Sequence, residues 1–102
     1  MNQAQMMAQV KKMQAEMAKA QEDLATTVVT GTAGGGAVTI EMTCDNRARA
    51  VKLSKEAVDP DDTETLEDLL VVAINDAVQK AQDASAKRMG SVTGGMRIPG
   101  LT

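Results

Sequence analysis

The first 24 residues carry a heptad repeat of apolar side chains that no glycine, proline or aromatic residue interrupts. The repeat advances in steps of four and three residues, through Met6, Val10, Met13, Met17, Ala20 and Leu24. This spacing places the apolar side chains on one narrow stripe of an α-helix. The Ala, Gln, Lys and Glu residues between them are good helix formers. The sequence therefore predicts a helix over residues 1–24, about 35 Å long, whose stripe needs a partner.

The core of this chain must be built without its largest possible contributors, because the 102 residues include no Phe, Trp or Tyr. Aromatic side chains dominate the apolar area of most cores, and a chain this short is marginally stable alone. We therefore expect a homo-oligomer, in which a second subunit covers apolar surface. A small, weakly stable monomer is the alternative.

Three β-branched segments follow the first helix and predict a three-stranded antiparallel meander over residues 26–54. The middle segment alternates between apolar and polar residues, so one face is expected to be buried, with Val38, Ile40 and Met42. In the third segment the residues expected to point inward are Val51 and Leu53.

A second long helix is predicted over residues 61–89. Asp59 suits an N-cap and Pro60 a first helical position; alternatively, Asp61 and Glu64 form a capping box slightly later in the chain. Gly90 is a natural stop. At about 42 Å the helix is longer than seven-residue strands of about 23 Å, so it overhangs the sheet. The overhanging half has an alanine face, which is expected to pack against the methionines of the first helix and form a two-helix arm, through Ala77, Ala81 and Ala84.

The other face of the second helix is also apolar and is the predicted dimer interface, with Leu69, Val71, Val72 and Ile74. These elements define an α+β fold in one domain, residues 1–90. Residues 91–102, with three glycines and one proline, are expected to form a flexible tail.

Most enzyme chemistry has no candidate residues in this sequence. There is no histidine, which removes the commonest general base and metal ligand. Cys44 is the only cysteine and has no base nearby in sequence. The segment DPDDTE resembles a calcium loop, but Glu64 stands where an EF-hand requires glycine. The segment AGGGAV lacks the Lys and Ser/Thr of a phosphate loop. We expect no enzyme activity, metal, cofactor or small-molecule substrate.

No signal peptide or apolar run of membrane-spanning length is present, so a cytoplasmic location is the default expectation. The net charge is −3 and the sequence pI is about 4.8. These totals argue against a general polyanion binder. The acidic excess is local, however, and lies at the start of the second helix.

Binding to duplex DNA needs only positioned Lys and Arg side chains, whereas single-strand readers usually need aromatic stacking. The arm carries six candidate cations outside its apolar seam: Lys11, Lys12, Lys19, Lys80, Lys87 and Arg88. The alternative is an ordinary solvated face with helix pairs such as Lys12 and Glu16. The residues alone favour the solvated face and leave DNA binding as the alternative.

Four segments together resemble the YbaB/EbfC family of bacterial nucleoid-associated proteins. They are the Met/Gln/Lys-rich first helix, TGTAGGGAVTIEM, VDPDDTETLEDLLVVAINDAVQKAQ and the ending MGSVTGGMRIPGL. The resemblance implies an α-β-β-β-α subunit, a tweezer-like homodimer, and binding to double-stranded DNA with little sequence preference. It also implies that the first helix and the late part of the last helix contact DNA. The six cations named above lie on these parts of the two helices, so the resemblance implies that they are the DNA-binding residues.

The resemblance implies a nucleoid location in the cytoplasm and a role in chromosome organisation or gene regulation. A protein–protein interaction module associated with recombinational DNA repair is the alternative function, with the methionine stripe as its contact surface. The chain departs from the family at the turn over residues 44–46, Cys-Asp-Asn, where relatives usually have a glycine.

Overall fold

The computed structural model describes residues 2–92. In chain order its helices and strands are α1 (Gln3–Thr26), β1 (Val28–Ala33), β2 (Val38–Thr43), β3 (Arg47–Leu53) and α2 (Thr63–Val92). The strands form one antiparallel sheet in the order β1-β2-β3. The predicted α-β-β-β-α order is therefore confirmed.

Helix α1 begins with a capping box. The side chain of Asn2 accepts a hydrogen bond from the Gln5 backbone N–H, and the Gln5 side chain accepts one from the Asn2 backbone. Both bonds satisfy donors that a helix start leaves unpaired. At the other end, the backbone N–H of Cys44 lies 3.0 Å from the Leu24 carbonyl and 2.9 Å from that of Thr27. The turn after β2 therefore holds the end of α1 against the sheet.

Two tight turns join the strands. Gly34, Gly35 and Gly36 all have positive φ, and Asn46 has a φ of 67°. Glycine enters this region without steric cost, and asparagine tolerates it better than most residues. The predicted glycine-rich connection and the predicted Asp-Asn turn are therefore where the chain reverses.

Helix α2 begins four residues after the predicted N-cap. Asp59 instead forms a turn in which its side chain accepts from the Asp61 N–H at 2.9 Å. Asp62 takes the capping position, where its carboxylate accepts from the Thr65 backbone at 3.3 Å and from the Thr65 hydroxyl at 2.7 Å. These two hydrogen bonds lower the pKa of Asp62, and the bond from the Thr65 hydroxyl is the larger cause.

The predicted stop at Gly90 is wrong, because α2 continues through it to Val92. Residues 91 and 92 of the predicted tail are thus helical, and residues 93–102 lie outside the described part of the chain.

The core lies between the first two-thirds of α2 and the helix-side face of β1 and β2. Its buried side chains are Ala33, Val38, Ile40, Met42, Ala73, Ala77 and Ala81, so the predicted burial of the middle strand is confirmed. Gly31 of β1 lies directly beneath α2. A Cβ atom added at Gly31 would be 2.3 Å from both the Ala73 carbonyl oxygen and the Ala77 nitrogen. The helix therefore approaches the strand so closely that only glycine fits.

Val51 and Leu53 have the predicted orientation, but they are not buried. Val51 pairs with Ile40, and Leu53 with Val38, so both face the helix side of the sheet as expected, because directly opposed residues share a face. Their side chains nevertheless remain exposed. The reason is that α2 covers β1 and β2 and leaves β3 uncovered.

The predicted arm exists in part. The molecule is 70 Å long, whereas α2 alone accounts for about 45 Å, so α1 projects beyond the sheet. Only Ala20 and Leu24 of α1 are buried. The predicted packing of methionines on alanines is wrong for most of the arm. Ala77 and Ala81 pack with the sheet, while Met6, Val10 and Met17 stay exposed.

Candidate nucleic-acid interface

The six predicted DNA-contacting cations fall into two groups, according to whether the charged side chain already has a bonding partner in the protein. Lys80 belongs to the group that has one. Its ammonium lies 2.9 Å from the Thr30 carbonyl oxygen and 3.1 Å from an oxygen of Asp76. The same Asp76 oxygen accepts a hydrogen bond from the Thr32 backbone N–H at 3.0 Å. Lys80 and Asp76 thus bond to the outer edge of β1, which would otherwise present unpaired backbone groups.

The pKa of Asp76 records this arrangement. The Thr32 N–H, and after it the Lys80 ammonium, stabilise the charged carboxylate and lower its pKa. A carboxylate that accepts such bonds stays ionised to lower pH than a free one. The Lys80–Asp76 pair is therefore a structural contact between helix and strand, which only the fold could reveal.

Arg88 is the second engaged cation. One terminal nitrogen lies 3.1 Å from a carboxylate oxygen of Asp23, and the other lies 3.0 Å from the Ser91 hydroxyl. The Asp23–Arg88 ion pair joins the end of α1 to the late part of α2. A half-exposed pair of this kind contributes at most about 1 kcal/mol. It lies at the base of the arm, where the two helices meet.

The second group consists of cations with no hydrogen-bonded or ionic partner within residues 2–92: Lys11, Lys12, Lys19 and Lys87. Three of them lie on α1. Because an α-helix advances about 100° per residue, Lys11, Lys12 and Lys19 fall within an arc of about 100° on the side opposite the apolar stripe. They form an exposed line of charge along the projecting helix, which we call the α1 lysine face.

Lys87 of α2 lies beside the C-terminal end of α1. It lines an open groove of about 330 Å³ with two α1 residues, Asp23 and Leu24, and with Ala84 and Arg88 of α2. Four of the six predicted cations are thus free, and the structure places three of those on one face of α1.

The four residues of the predicted dimer interface do not share one environment. Leu69 is half-buried and packs on the core; it lies near the glycine turn, where a Cβ at Gly34 would be 3.1 Å from its Cδ2. Val71, Val72 and Ile74 are exposed. Their role in a dimer stays a prediction.

A further set of cations escaped the sequence analysis because it lies on a strand. Arg47, Arg49 and Lys52 are exposed on β3, and Arg47 approaches Asp45 at 3.8 Å. Arg49 has no partner residue in β2, since Glu41 pairs with Ala50 and Met42 with Ala48, so it forms a β-bulge. Basic residues and bulges protect sheet edges from unwanted pairing, which is a structural role for these three.

The described residues contain no group of three or more acidic, cysteine or histidine side chains arranged to hold a metal ion. Cys44 is buried at the junction of α1 and β2. Burial, and to a smaller extent the charge of Asp45, raise the pKa of its thiol, so it is a poor nucleophile. Over residues 2–92, no helix has both the length and the apolar character required to cross a membrane.

Comparisons with known proteins give the same family as the sequence motifs. A model of the YbaB/EbfC DNA-binding family matches residues 1–96. A nucleoid-associated protein from Chloroflexus aurantiacus is 52% identical over 97 residues, which cover 95% of this chain and 97% of that protein. One from Pelotomaculum thermopropionicum is 44% identical over 100 residues, covering 98% and 95%.

The fold is also found in a solved structure. An uncharacterized protein from Helicobacter pylori superposes with a TM-score of 0.80 at 19% identity, covering 92% of this chain and 99% of that one. At this identity the likeness concerns the fold alone. The family match and the two relatives show that this chain belongs to the YbaB/EbfC DNA-binding family of nucleoid-associated proteins.

Proposed function

We propose that this protein binds double-stranded DNA as a homodimer, with little sequence preference, and that the α1 lysine face contacts the phosphate backbone. The observation that carries the proposal is the line of three unpartnered lysines on a projecting helix, opposite its apolar stripe. Lys87 at the foot of the helix adds a fourth free cation. Lys80 and Arg88 support the fold and are left out of the proposed contact.

The chemistry of these contacts favours binding without sequence readout. Lysine acts as a point charge toward phosphates, and phosphate contacts position a protein on DNA without reading the bases. Arginine, which makes the commonest specific contact by pairing with guanine, is represented on the arm only by Arg88, whose guanidinium is engaged with Asp23 and Ser91.

A homodimer is favoured because the monomer leaves apolar surface exposed. Ile40 and Val38 are the largest side chains that are fully buried among residues 2–92. Branched aliphatic residues on α2 and β3 remain in contact with water. Two copies would also present two lysine faces to one duplex, and phosphate contacts from both would add. Such binding would place the protein on the nucleoid within the cytoplasm, where it would organise the chromosome or regulate genes.

The direct test is a binding titration with a labelled duplex of random sequence at two salt concentrations. Wild-type protein is expected to bind at low salt and to lose affinity steeply as salt rises. A duplex of different sequence should bind about equally well, and a single strand of the same length more weakly. Failure to bind any duplex at low salt would refute the proposal. So would a Lys11→Glu/Lys12→Glu variant that is folded and binds as tightly as wild type.

A protein–protein module is the second candidate, and the exposed methionine stripe of α1 favours it. Met6 and Met17 are exposed, and flexible methionine surfaces adapt to partner proteins. A recombinational repair protein would be such a partner. Isolation of the protein from cells with a stoichiometric protein partner that remains after nuclease treatment, together with no binding to purified duplex, would favour this function over DNA binding.

A further inference from the structure

We propose that the groove between the end of α1 and the late part of α2 binds a segment of the chain's own C-terminal tail. We call residues 94–98, Gly-Gly-Met-Arg-Ile, the tail segment; Met96 and Ile98 are the side chains that enter the groove. The docked tail segment straps α1 to α2 at the base of the arm, where the half-exposed Asp23–Arg88 pair is a weak link. This docking requires neither DNA nor a second copy of the chain.

The groove is an apolar site that the side chains of residues 2–92 leave open. Leu24 and Ala84 give it apolar walls, and Thr27 and Ser91 add only short side chains. About 330 Å³ of space lies between the two helices. Close-packed proteins leave few gaps larger than a water molecule, and this one has room for more than one aliphatic side chain. The groove therefore suits a short apolar segment.

The tail segment begins beside this groove and has the length to return along it. Ser91 lines the groove, and the tail segment starts three residues later. Glycine commonly reverses the chain after a helix, because it adopts a positive φ without steric cost. Ala84 lies about 12 Å back along α2 from Val92. After a reversal at Gly94, four extended residues cover about 13 Å and bring Ile98 level with Ala84.

The order of residues in the tail segment matches a groove that is apolar inside and open to water outside. In an extended chain alternate side chains share a face, so Met96 and Ile98 point one way and Arg97 the other. Pro99 favours an extended backbone at the residue before it, which is Ile98. Methionine is flexible and fills irregular gaps. Met96 and Ile98 can therefore enter the groove together while Arg97 stays at its rim.

The charge at the rim favours Arg97. The last turns of α1 and α2 both lie beside the groove, and neither contains a basic residue. The C-terminal end of a helix carries a partial negative charge that favours a cation. The side chains nearby balance one another, since Lys87 and Arg88 offset Glu22 and Asp23. The two helix ends are thus left without a cation, and the tail segment supplies one.

A matched pair of alanines on α2 tests the docking in the full-length chain. Ala84 lines the groove, whereas Ala86 is exposed and lies about 160° around the helix. Ala84→Cys/Ile98→Cys and Ala86→Cys/Ile98→Cys give the tail nearly the same reach to each cysteine, and a disulfide requires the two Cα atoms to come within about 7 Å. Equilibration in glutathione buffers measures the effective concentration of each cysteine pair. Wild-type protein, with only the buried Cys44, is the blank.

We expect an effective concentration at least about tenfold higher for the Ala84 pair than for the Ala86 pair, whereas a tail with no preferred site would give similar values of millimolar order for both. Met96→Asp, added to the Ala84 pair, should lower its value to that of the Ala86 pair, because a carboxylate is costly to bury in an apolar groove. Far-UV circular dichroism checks that each variant is folded.

Equal effective concentrations for the two pairs, or no effect of Met96→Asp, would overturn the docking. A non-reducing gel separates a bridge within one chain from a bridge between two chains. If the Ala84 pair gives mainly a covalently linked dimer, the groove holds the tail of a second copy, and the assignment to the chain's own tail is overturned.

Discussion

Gly31 offers the sharpest test of how α2 sits on the sheet. In Gly31→Ala the new methyl group would lie 2.3 Å from two backbone atoms of α2 and 2.7 Å from the Cβ of Ala77. Backbone atoms of a buried helix cannot turn aside as a flexible side chain does, so α2 must move away from β1. That movement also lengthens the Thr32–Asp76 and Thr30–Lys80 hydrogen bonds, now 3.0 and 2.9 Å.

The expected cost follows from these contacts. Overpacking of a core costs about 1–3 kcal/mol, and the two lengthened hydrogen bonds add to this cost. Alanine also lowers the backbone entropy of the unfolded chain relative to glycine, which stabilises the folded protein by about 0.4–1 kcal/mol. The net prediction is a loss of about 1–3 kcal/mol in the free energy of unfolding.

Urea denaturation followed by far-UV circular dichroism suits this chain, because it has no tryptophan to report by fluorescence. The free energy of unfolding of a small domain falls by about 1–3 kcal/mol for each molar of urea, so the urea midpoint should fall by about 1–2 M. Protein concentration must be held fixed, since the urea midpoint of the proposed homodimer would depend on it. Gly90→Ala is the matched control: a Cβ at Gly90 has no atom within 4 Å, so alanine there should be neutral or stabilise by up to about 1 kcal/mol. Stability of Gly31→Ala within about 0.5 kcal/mol of wild type would refute the close packing of α2 on β1.

Three further predictions concern the engaged charges. The Thr32 N–H and the Lys80 ammonium lower the pKa of Asp76, so its stabilisation is complete above about pH 4 and is lost as the pH falls through the folded-state pKa. Asp76→Asn should therefore lower stability at neutral pH and flatten the decline of the urea midpoint on acidification; an unchanged profile would contradict this. Lys80→Met should lower stability but change duplex affinity by less than about twofold, and a loss as large as that of Lys12→Met would reassign Lys80 to the DNA contact. A double-mutant cycle with Arg88→Met and Asp23→Asn should give a coupling free energy between zero and about 1 kcal/mol, and a larger coupling would contradict the description of a weak, half-exposed pair.

Much of the fold was predictable because local patterns determine it. The heptad stripe predicted α1, strict alternation predicted the buried face of β2, and the glycine and Asp-Asn segments predicted the turns. The start of α2 was misplaced because three aspartates near it can each cap a helix, and the side-chain bonds of Asp62 decide between them.

The errors arose where burial depends on distant parts of the chain. Val51 faces the helix side of the sheet, as predicted, but its side chain is exposed. Strand periodicity predicts the side on which a residue lies, and it does not reveal how far a helix extends across the sheet. The alanine face of α2 could pack closely against either a second helix or a strand. It packs against β1, because Gly31 has no side chain and lets the strand approach the helix. Lys80 has an obvious helix partner in Asp76, but its bond to Thr30, 50 residues earlier, has no signature in the sequence.

The assignment of DNA contacts to the α1 lysine face can be tested by comparing two triple variants of equal charge. One is Lys11→Gln/Lys12→Gln/Lys19→Gln on α1, and the other is Arg47→Gln/Arg49→Gln/Lys52→Gln on β3. Both remove three positive charges, so a general electrostatic effect would weaken binding equally. Fluorescence anisotropy with a labelled random duplex, over a range of salt concentrations, measures the affinity and its salt slope for each.

We predict that the α1 variant binds far more weakly than wild type and that its salt slope falls by about 0.9 for each lysine in contact with a phosphate. The β3 variant should retain nearly the wild-type affinity and slope. Equal losses in the two variants, or a larger loss in the β3 variant, would contradict the assignment of DNA binding to the α1 lysine face.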